Sequence, residues 1–400
     1  AKTGRYKRRQ AAAPQALKDN MSITIYLPLW KRPVHTLRWL WHANRTHLPF
    51  PILIGDGGDE PEVRKILEDP SHFPNLDYRY LKYDDHSFDA FYAKNADVVS
   101  KVETPYVVWA DNDDFPVVAG LKQAAKRLDE NADSESAGGW IGTFALYEAD
   151  AMAHKEQITG ELYRYTLFHK AKTIMHDTAL ERVREYLLKP SDVFNTLHRK
   201  ECFHRCHERV KTAGFITMDL FEDFTVSDML IKGKCYYEGS NVLVFRQIGT
   251  SVMAVDSLPL KERIAQVDWK KDLQTFVKKT ARAVCETDAM PIEEAEKALA
   301  DIYAERNRDR LQHRSARAAP RPLLKEMAIK GARLALKIRP VRALRARHQR
   351  HVLLNEILAN GATPKHVADI NREMAEMEKT LTGQEFPEFV RRVLPEYSEQ

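Results

Sequence analysis

No run of this chain stays apolar for anything near the roughly 20 residues that a membrane-crossing helix needs. The first residues, Lys2 to Arg9 followed by AAAPQA, also lack the apolar centre of a signal peptide. Together these absences argue for a cytoplasmic chain that begins with a loose basic arm over residues 1–21. Cysteine is scarce. Cys202, Cys206, Cys235 and Cys285 are too few and too unevenly spaced to frame a disulfide scaffold, in keeping with a reducing compartment. Carboxylates nearly vanish between Arg306 and Arg350, where Asp309 and Glu326, with Glu305 just before them, face a dense series of Arg and Lys. Such a segment seeks phosphate of some kind. Clustered aromatics are missing from it as well, which counts against single-stranded nucleic acid as the partner.

What is present is enough for a substantial core: 400 residues, 44% of them hydrophobic, with a net charge of only +5. From Ser22 onward, strand-like runs alternate with amphipathic helical stretches. SITIYLPL (22–29) leads to a helix opening near Pro33, FPILIGD (50–56) to one around Pro61–Leu67, LDYRYLKY (76–83) to Phe88–Val102, and PYVVWAD to Phe115–Leu128. GGWIGTFALYE (138–148) and CYYEGSNVLVFRQ (235–247) read as further strands. The rhythm predicts an α/β domain over 22–255, with a mostly parallel sheet covered by helices on both faces. Residues 150–190 read as a less regular, partly helical insertion over the working edge of the sheet. Beyond about Asp256 the pattern is helical, predicting a C-terminal extension over 256–400. In such sheets ligands bind at the carboxyl ends of the strands, where GDGGD (55–59) and DNDD (111–114) both fall.

In YVVWADNDDFP (106–116), a buried strand runs directly into three carboxylates and an amide, so a cationic group should compensate them. Along an extended backbone Asp111 and Asp113 share a face while Asn112 points away. Hard oxygen ligands suit Mg²⁺ or Mn²⁺ held through one or two carboxylates plus substrate phosphates. The plainer account is a solvated turn with Asp114 capping the next helix. GDGGD is equally a tight turn whose glycines permit positive φ. In FEDF (221–224), Glu222 and Asp223 open a helix, where the dipole favours carboxylates with or without a function. HRKECFHRCH places His198, Cys202 and Cys206 four residues apart; on one helix their ends lie about 12 Å apart, too far to surround one zinc ion, so buried small cysteines are the better reading.

Taken in order, ITIYLPLWKRP, ILIGDGG and YVVWADNDDFP resemble the GT-A glycosyltransferases of the family-2-like kind, over about Ser22 to Gln247. The resemblance implies a nucleotide-sugar donor, a sugar transfer that is inverting and metal-assisted, and a role in bacterial surface-glycan synthesis on a glycan or lipid-linked acceptor. It implies that Arg32, Asp56, Gly57 and Gly58 line the nucleotide, with Lys94 and Asn95 reaching the donor from the helix before the acidic strand. Asp111 and Asp113 would hold Mn²⁺ or Mg²⁺, Asp111 also serving the donor. Of the FEDF pair, Asp223 is favoured as general base with Glu222 the alternative. One departure stands out: where many relatives carry a late metal or diphosphate ligand, often His, this chain has Arg246 and Gln247, and Arg246 would meet the diphosphate directly.

Outside the resemblance, Leu323–Ile338 sets Leu324, Met327, Ala328, Leu334, Ala335 and Ile338 on one side among Lys and Arg. This basic amphipathic pattern suits an anionic membrane surface through 323–350, or packing against the catalytic domain. The helix expected over 363–381 would pack internally or pair in a homo-oligomer. Two rival functions fit parts of the sequence: a non-catalytic basic scaffold for nucleic acid or anionic membrane, and a nucleotidyltransferase using the same acidic site.

Overall fold

The structure is a computed structural model of the chain, and it describes residues 22–147, 158–168, 173–189, 191–248, 258–318, 335 and 338–395. The arm over 1–21 and most of the amphipathic stretch 323–338 lie outside the described residues. Chain order begins β1 (Ile23–Leu29), α1 (Pro33–Arg45), β2 (Ile52–Asp56), α2 (Pro61–Glu68), β3 (Tyr78–Lys82), α3 (Phe88–Ser100) and β4 (Tyr106–Trp109). It continues through β5 (Asp114–Pro116), α4 (Val118–Glu130), β6 (Ser134–Leu146), β7 (Leu162–Phe168), α5 (Ala179–Leu188), β8 (Leu197–Arg199), α6 (Lys200–Lys211), α7 (Phe221–Lys232) and β9 (Lys234–Gln247). The remaining elements are helical: α8 (Leu260–Arg263), α9 (Val267–Asp288), α10 (Ile292–Ala318), α11 (Arg339–Ala359), α12 (Pro364–Thr382) and α13 (Glu385–Val393).

The expected α/β class is what the structure has. One sheet runs β3-β2-β1-β4-β8-β6-β9-β5, with β7 on the side of β6. The first four strands pair in parallel, as do β6 and β9, while β8, β5 and β7 join antiparallel. The order turns back at β1, which lies between β2 and β4. That switch opens a crevice beyond the carboxyl ends of β1 and β4, the place where a ligand finds two diverging loops.

Alternation along the strands assigns the faces. Ile23, Ile25 and Leu27 join the core formed with α1, α2 and α13, whereas Tyr26 faces the core of α3, α5, α6, α7, α9 and α10. Tyr106 and Val108 follow the first group, Val107 and Trp109 the second. The later helices share these cores: Phe276, Leu299 and Tyr303 bury with Phe224, and Phe386 and Phe389 with Leu37 and Phe73. A third core sets Phe115, Phe144 and Phe245 against Leu353, Ile357, Ile370 and Met374 of α11 and α12. The 363–381 helix thus packs internally.

Three local expectations are corrected. The helix expected from Phe115 starts only at Val118, because Asp114–Pro116 is drawn into the sheet as β5, pairing Asp114 with Arg246 and Phe115 with Phe245. Asp114 is therefore a strand residue and caps no helix. Within 150–190, Leu162–Phe168 is a strand that extends the sheet beyond β6. His198 lies in β8, not on the helix that carries the buried Cys202 and Cys206; its ring stacks on Phe203 and its Nε2 meets the Phe194 carbonyl at 2.9 Å.

Helix α4 has no capping side chain of its own, and Val117 precedes it. Glu373 of α12 supplies the cap: its Oε2 accepts from the Val118 N–H at 2.5 Å and its Oε1 from the Ala119 N–H at 3.0 Å. Burial pushes the Glu373 carboxyl up to about 7, outweighing those two backbone donors. A raised carboxyl keeps its proton in the folded chain after the unfolded chain has released it, so this residue's contribution falls as pH rises between its ordinary value of 4.5 and about 7. Urea unfolding across that window should show the loss, and Glu373→Gln should flatten it.

Candidate active site

The crevice at the β1/β4 switch is bridged by charge. Arg32, the residue before Pro33, adopts a left-handed backbone (φ 68°), which turns the chain sharply out of β1 into α1. Its Nη1 reaches Asp113 Oδ2 at 3.3 Å, with both side chains buried. Residues 112 and 113 form a turn and not the extended backbone expected, so Asn112 reaches the same segment as Asp113: its Nδ2 donates to the Lys31 carbonyl and to Thr36 Oγ1, each at 3.2 Å. The turn is closed by the Asp114 N–H donating to the Asp111 carbonyl at 3.0 Å. From the other side β9 delivers Arg246, whose Nε and Nη2 each meet an Asp114 carboxylate oxygen at 2.7 Å. The same guanidinium lies 3.8 Å from Asp111 Oδ2. The compensating cations that the acidic run demands are thus Arg32 and Arg246.

Compensation is incomplete. Burial pushes Asp114 up to about 7 against the pull of Arg246, with Asp111 and Asp113 adding repulsion. Asp111 is also raised, by burial first and then by Asp113, although Arg246 opposes it. Asp111 is nonetheless the open member: its side chain is 45% exposed, one oxygen accepting from Trp109 Nε1 at 2.9 Å. Asp113 stands behind it on Arg32.

The FEDF pair divides at the mouth of the cleft. Asp223 turns inward, where Arg306 of α10 grips both of its oxygens, the Nη2 to Oδ1 bond measuring 2.9 Å, and the Tyr303 hydroxyl donates at 2.8 Å. Arg306 and these donors hold its carboxyl below the usual value in spite of burial. The favoured base is therefore the counter-ion of a core arginine, with its oxygens taken up by donors. Glu222, one residue earlier, remains exposed. Loss of hydration within the cleft pushes its carboxyl up to about 7, helped by the charges of Asp223, Asp111 and Asp192.

Beside this cleft, Asp56 ends β2 next to Leu29. Its Oδ1 accepts from the Gly58 N–H at 2.8 Å and its Oδ2 from the Tyr80 hydroxyl at 2.6 Å. Gly57 and Gly58 do not have positive φ; their need is space. A Cβ on Gly57 would fall 1.9 Å from the Asp85 carboxylate, and one on Gly58 2.8 Å from the Trp30 carbonyl. Lys94 and Asn95 face inward rather than to solvent. Lys94 pairs with Asp85 and donates to the Leu29 carbonyl at 3.2 Å, while Asn95 accepts from the Tyr26 hydroxyl in the core. Lys94 thus props the floor under the β1 and β2 turns, and Asn95 belongs to the packing of α3.

No family model matches this chain, and no curated protein matches it. Among solved structures it is similar to S. aureus TarS (14% identity, TM-score 0.43, covering 71% of this chain and 43% of that one). It is also similar to TarS 1–349 in complex with UDP-GlcNAc (12%, 0.44, covering 95% and 92%). A third similar structure is the mannosyltransferase PcManGT from Pyrobaculum calidifontis in complex with GDP-Man and Mn²⁺ (13%, 0.37, covering 85% and 86%). The chain spans less than half the length of the longer TarS structure. Such low identities and TM-scores leave the chemistry to the residues themselves.

Sequence reasoning passed over Tyr80, Lys82, Asp85, Asp192 and the Tyr303–Arg306 pair. Tyr80 and Lys82 carried a signal: alternate residues of β3 share a face, and Lys82 lies in register with Asp56. Nothing in the basic run distinguished Arg306 from its neighbours. Because Arg306 and Asp223 are buried against one another, Arg306→Met should strand a carboxylate in the core and cost about 3–5 kcal/mol of stability by urea unfolding. Adding Asp223→Leu should recover much of that loss.

Proposed function

We propose that this chain is a nucleotide-sugar glycosyltransferase of GT-A layout that transfers a sugar to a hydroxyl acceptor. What supports it above all is the convergence, at the β1/β4 switch point, of the Arg32–Asp113 and Arg246–Asp114 pairs with an open Asp111 and a solvent-reaching Glu222. A cleft of this kind can hold a diphosphate and a sugar between cationic groups on one wall and a carboxylate on the other.

Arg246 stays protonated under all working conditions and lies at the cleft wall, so it would bind the departing diphosphate and stabilise the charge that builds there. Arg32 holds the acidic turn to the start of α1 through its ion pair with Asp113. Asp56, fixed by Gly58 and Tyr80, would accept from the base or ribose. Glu222 would take the acceptor proton as the hydroxyl oxygen attacks the anomeric carbon and the diphosphate leaves from the opposite side, which inverts that centre. The base role thus moves from Asp223 to Glu222, and Asp223 anchors the helix that presents it. Among the described residues no three His, Cys, Asp or Glu side chains form a ready metal cage. The donor set nevertheless fits a hard cation bound mainly through substrate phosphates, with Asp111 as the protein ligand and Asp113 behind it. Bound there, Mn²⁺ or Mg²⁺ would supply Lewis-acid stabilisation of the diphosphate. The acceptor would be a glycan or a lipid-linked molecule, in surface-glycan synthesis.

The first test is a thermal-shift screen of UDP-, GDP-, CMP- and dTDP-sugars with and without Mn²⁺. One nucleotide class should raise the melting temperature, and Asp111→Asn should abolish the metal-dependent part. No response to any donor in a folded protein would overturn the proposal. Glu222→Gln should lower kcat by about 10²–10⁴-fold while the donor-induced shift persists. Since Glu222 must be ionised to accept a proton, activity should rise as pH rises through about 7. Free nucleoside diphosphate as product marks sugar transfer; pyrophosphate would mark nucleotidyl transfer on the same acidic site.

A further inference from the structure

Helix α11 presents two unlike sides. Arg342, Ala346, Leu353 and Ile357 are buried, and the helix lies over β7 and β9, where Gln349 Oε1 accepts from the Tyr165 N–H at 3.0 Å. The opposite side carries Val341, Leu344, His348 and Val352, whose spacing of three, four and four places them along one stripe, with Leu358 at its margin. All five are exposed, Leu344 at 68% and Val352 at 47%. Single exposed aliphatics need no explanation, but three along one stripe with a fourth at its margin form a patch that water alone does not favour.

Charge defines what would cover it. From Met327 to Asn355 the chain has no Asp or Glu, against eight Lys and Arg. Part of that charge is used internally, since Arg339 and Arg342 pair with Glu161, and Arg350 pairs with Glu378 at 2.8 Å. Arg347 and His351 lie on the exposed side itself, between the aliphatic residues. The surface is therefore apolar and basic together from Val341 to Val352, and Glu356 is an exposed carboxylate only at its C-terminal end.

We infer that the Val341–Leu358 face of α11 docks on an anionic lipid bilayer, lying in the plane of the headgroups. Aliphatic side chains enter the acyl boundary while Arg347 meets lipid phosphates, the arrangement of an interfacial helix. Among the described residues no helix is long and apolar enough to cross a membrane, so contact is in-plane. A second copy of the chain suits the face poorly, because a two-fold interface would set these basic groups against themselves. Nucleic acid suits it poorly too, since the stripe offers aliphatic residues and no stacking aromatics. Position adds to the case. The first turn of α11 is fastened by Arg342 to Glu161 and over the Tyr147 ring, 3.9 Å from its centroid. Tyr147 follows β6, whose Phe144 is in register with Gln247, the residue after Arg246. The docking face thus begins at the same end of the sheet as the acidic cleft, and it stands on its own residues, independent of the transferase reading.

The experiment is co-sedimentation of the full chain with phosphatidylcholine vesicles, with and without phosphatidylglycerol, at low and high salt. Anionic lipid should raise the bound fraction at least about tenfold, and salt should reverse most of that gain. Leu344→Glu with Val352→Glu should return binding to the phosphatidylcholine level without lowering the melting temperature. Leu344→Ser with Val352→Ser serves the same purpose should the glutamates perturb folding. These variants leave residues 319–337 untouched, so the loss reports on the α11 face. Unchanged binding in both double variants, or no preference for anionic vesicles, overturns the inference. So does a dimer in sedimentation that Leu344→Glu dissociates, or capture of a duplex nucleic-acid probe that Arg347→Glu abolishes while vesicles are ignored.

Discussion

The structure turns on the repulsion among Asp111, Asp113 and Asp114, which a buried strand delivers to a single turn. Two arginines from distant parts of the chain answer it, Arg32 at 3.3 Å from Asp113 and Arg246 at 2.7 Å from Asp114. Each arginine ties a different element to the same place: Arg32 fixes the start of α1 and Arg246 the end of β9. Electrostatic necessity thereby becomes architecture. Removing either cation would leave an uncompensated carboxylate in a poorly hydrated site, a far larger penalty than loss of an exposed ion pair. Because the two pairs do not fully offset burial, the turn retains a demand for positive charge, and the proposed place of a cation rests on that demand.

A second buried pair carries the late helices into the site. Arg306 and Tyr303 of α10 close on Asp223, and that grip fixes the first turn of α7, from which Glu222 emerges. Division of labour between adjacent carboxylates follows from the helix: successive residues are turned about 100° from one another, so one faces the core and the other the cleft. Glu373 of α12 plays a comparable part at the start of α4, giving two backbone N–H groups the partner that the local sequence omits. The C-terminal third therefore completes elements of the α/β sheet rather than merely following them.

Much of the sheet was legible because strands and helices have different periods. Ile23–Leu29, Ile52–Asp56 and Tyr106–Trp109 lie where their apolar runs placed them, and Pro33 and Pro61 open helices as their fixed φ favours. The acidic turn and its need for cations were equally visible. Less visible was whatever depends on pairing between remote segments. β5 is a strand because β9 reaches it, although its own residues read as the start of a helix. Gly57 and Gly58 appear from sequence as a turn's conformational need, whereas Asp85 and Trp30 require their lack of a side chain.

By itself, the sequence determined the alternation of strands and helices, the acidic turn after β4 and the basic character of the late chain, since each is written in residues close together. Tertiary structure alone decided that Arg32 and Arg246 meet that turn, that Arg306 takes Asp223 and leaves Glu222 open, and that Lys94 and Asn95 turn inward. The reason is physical. Periodicity and propensity act over a few residues, but the partner of a buried charge is whichever opposite charge the fold brings within reach, and that partner lay 132 residues away for Asp114 and 83 for Asp223.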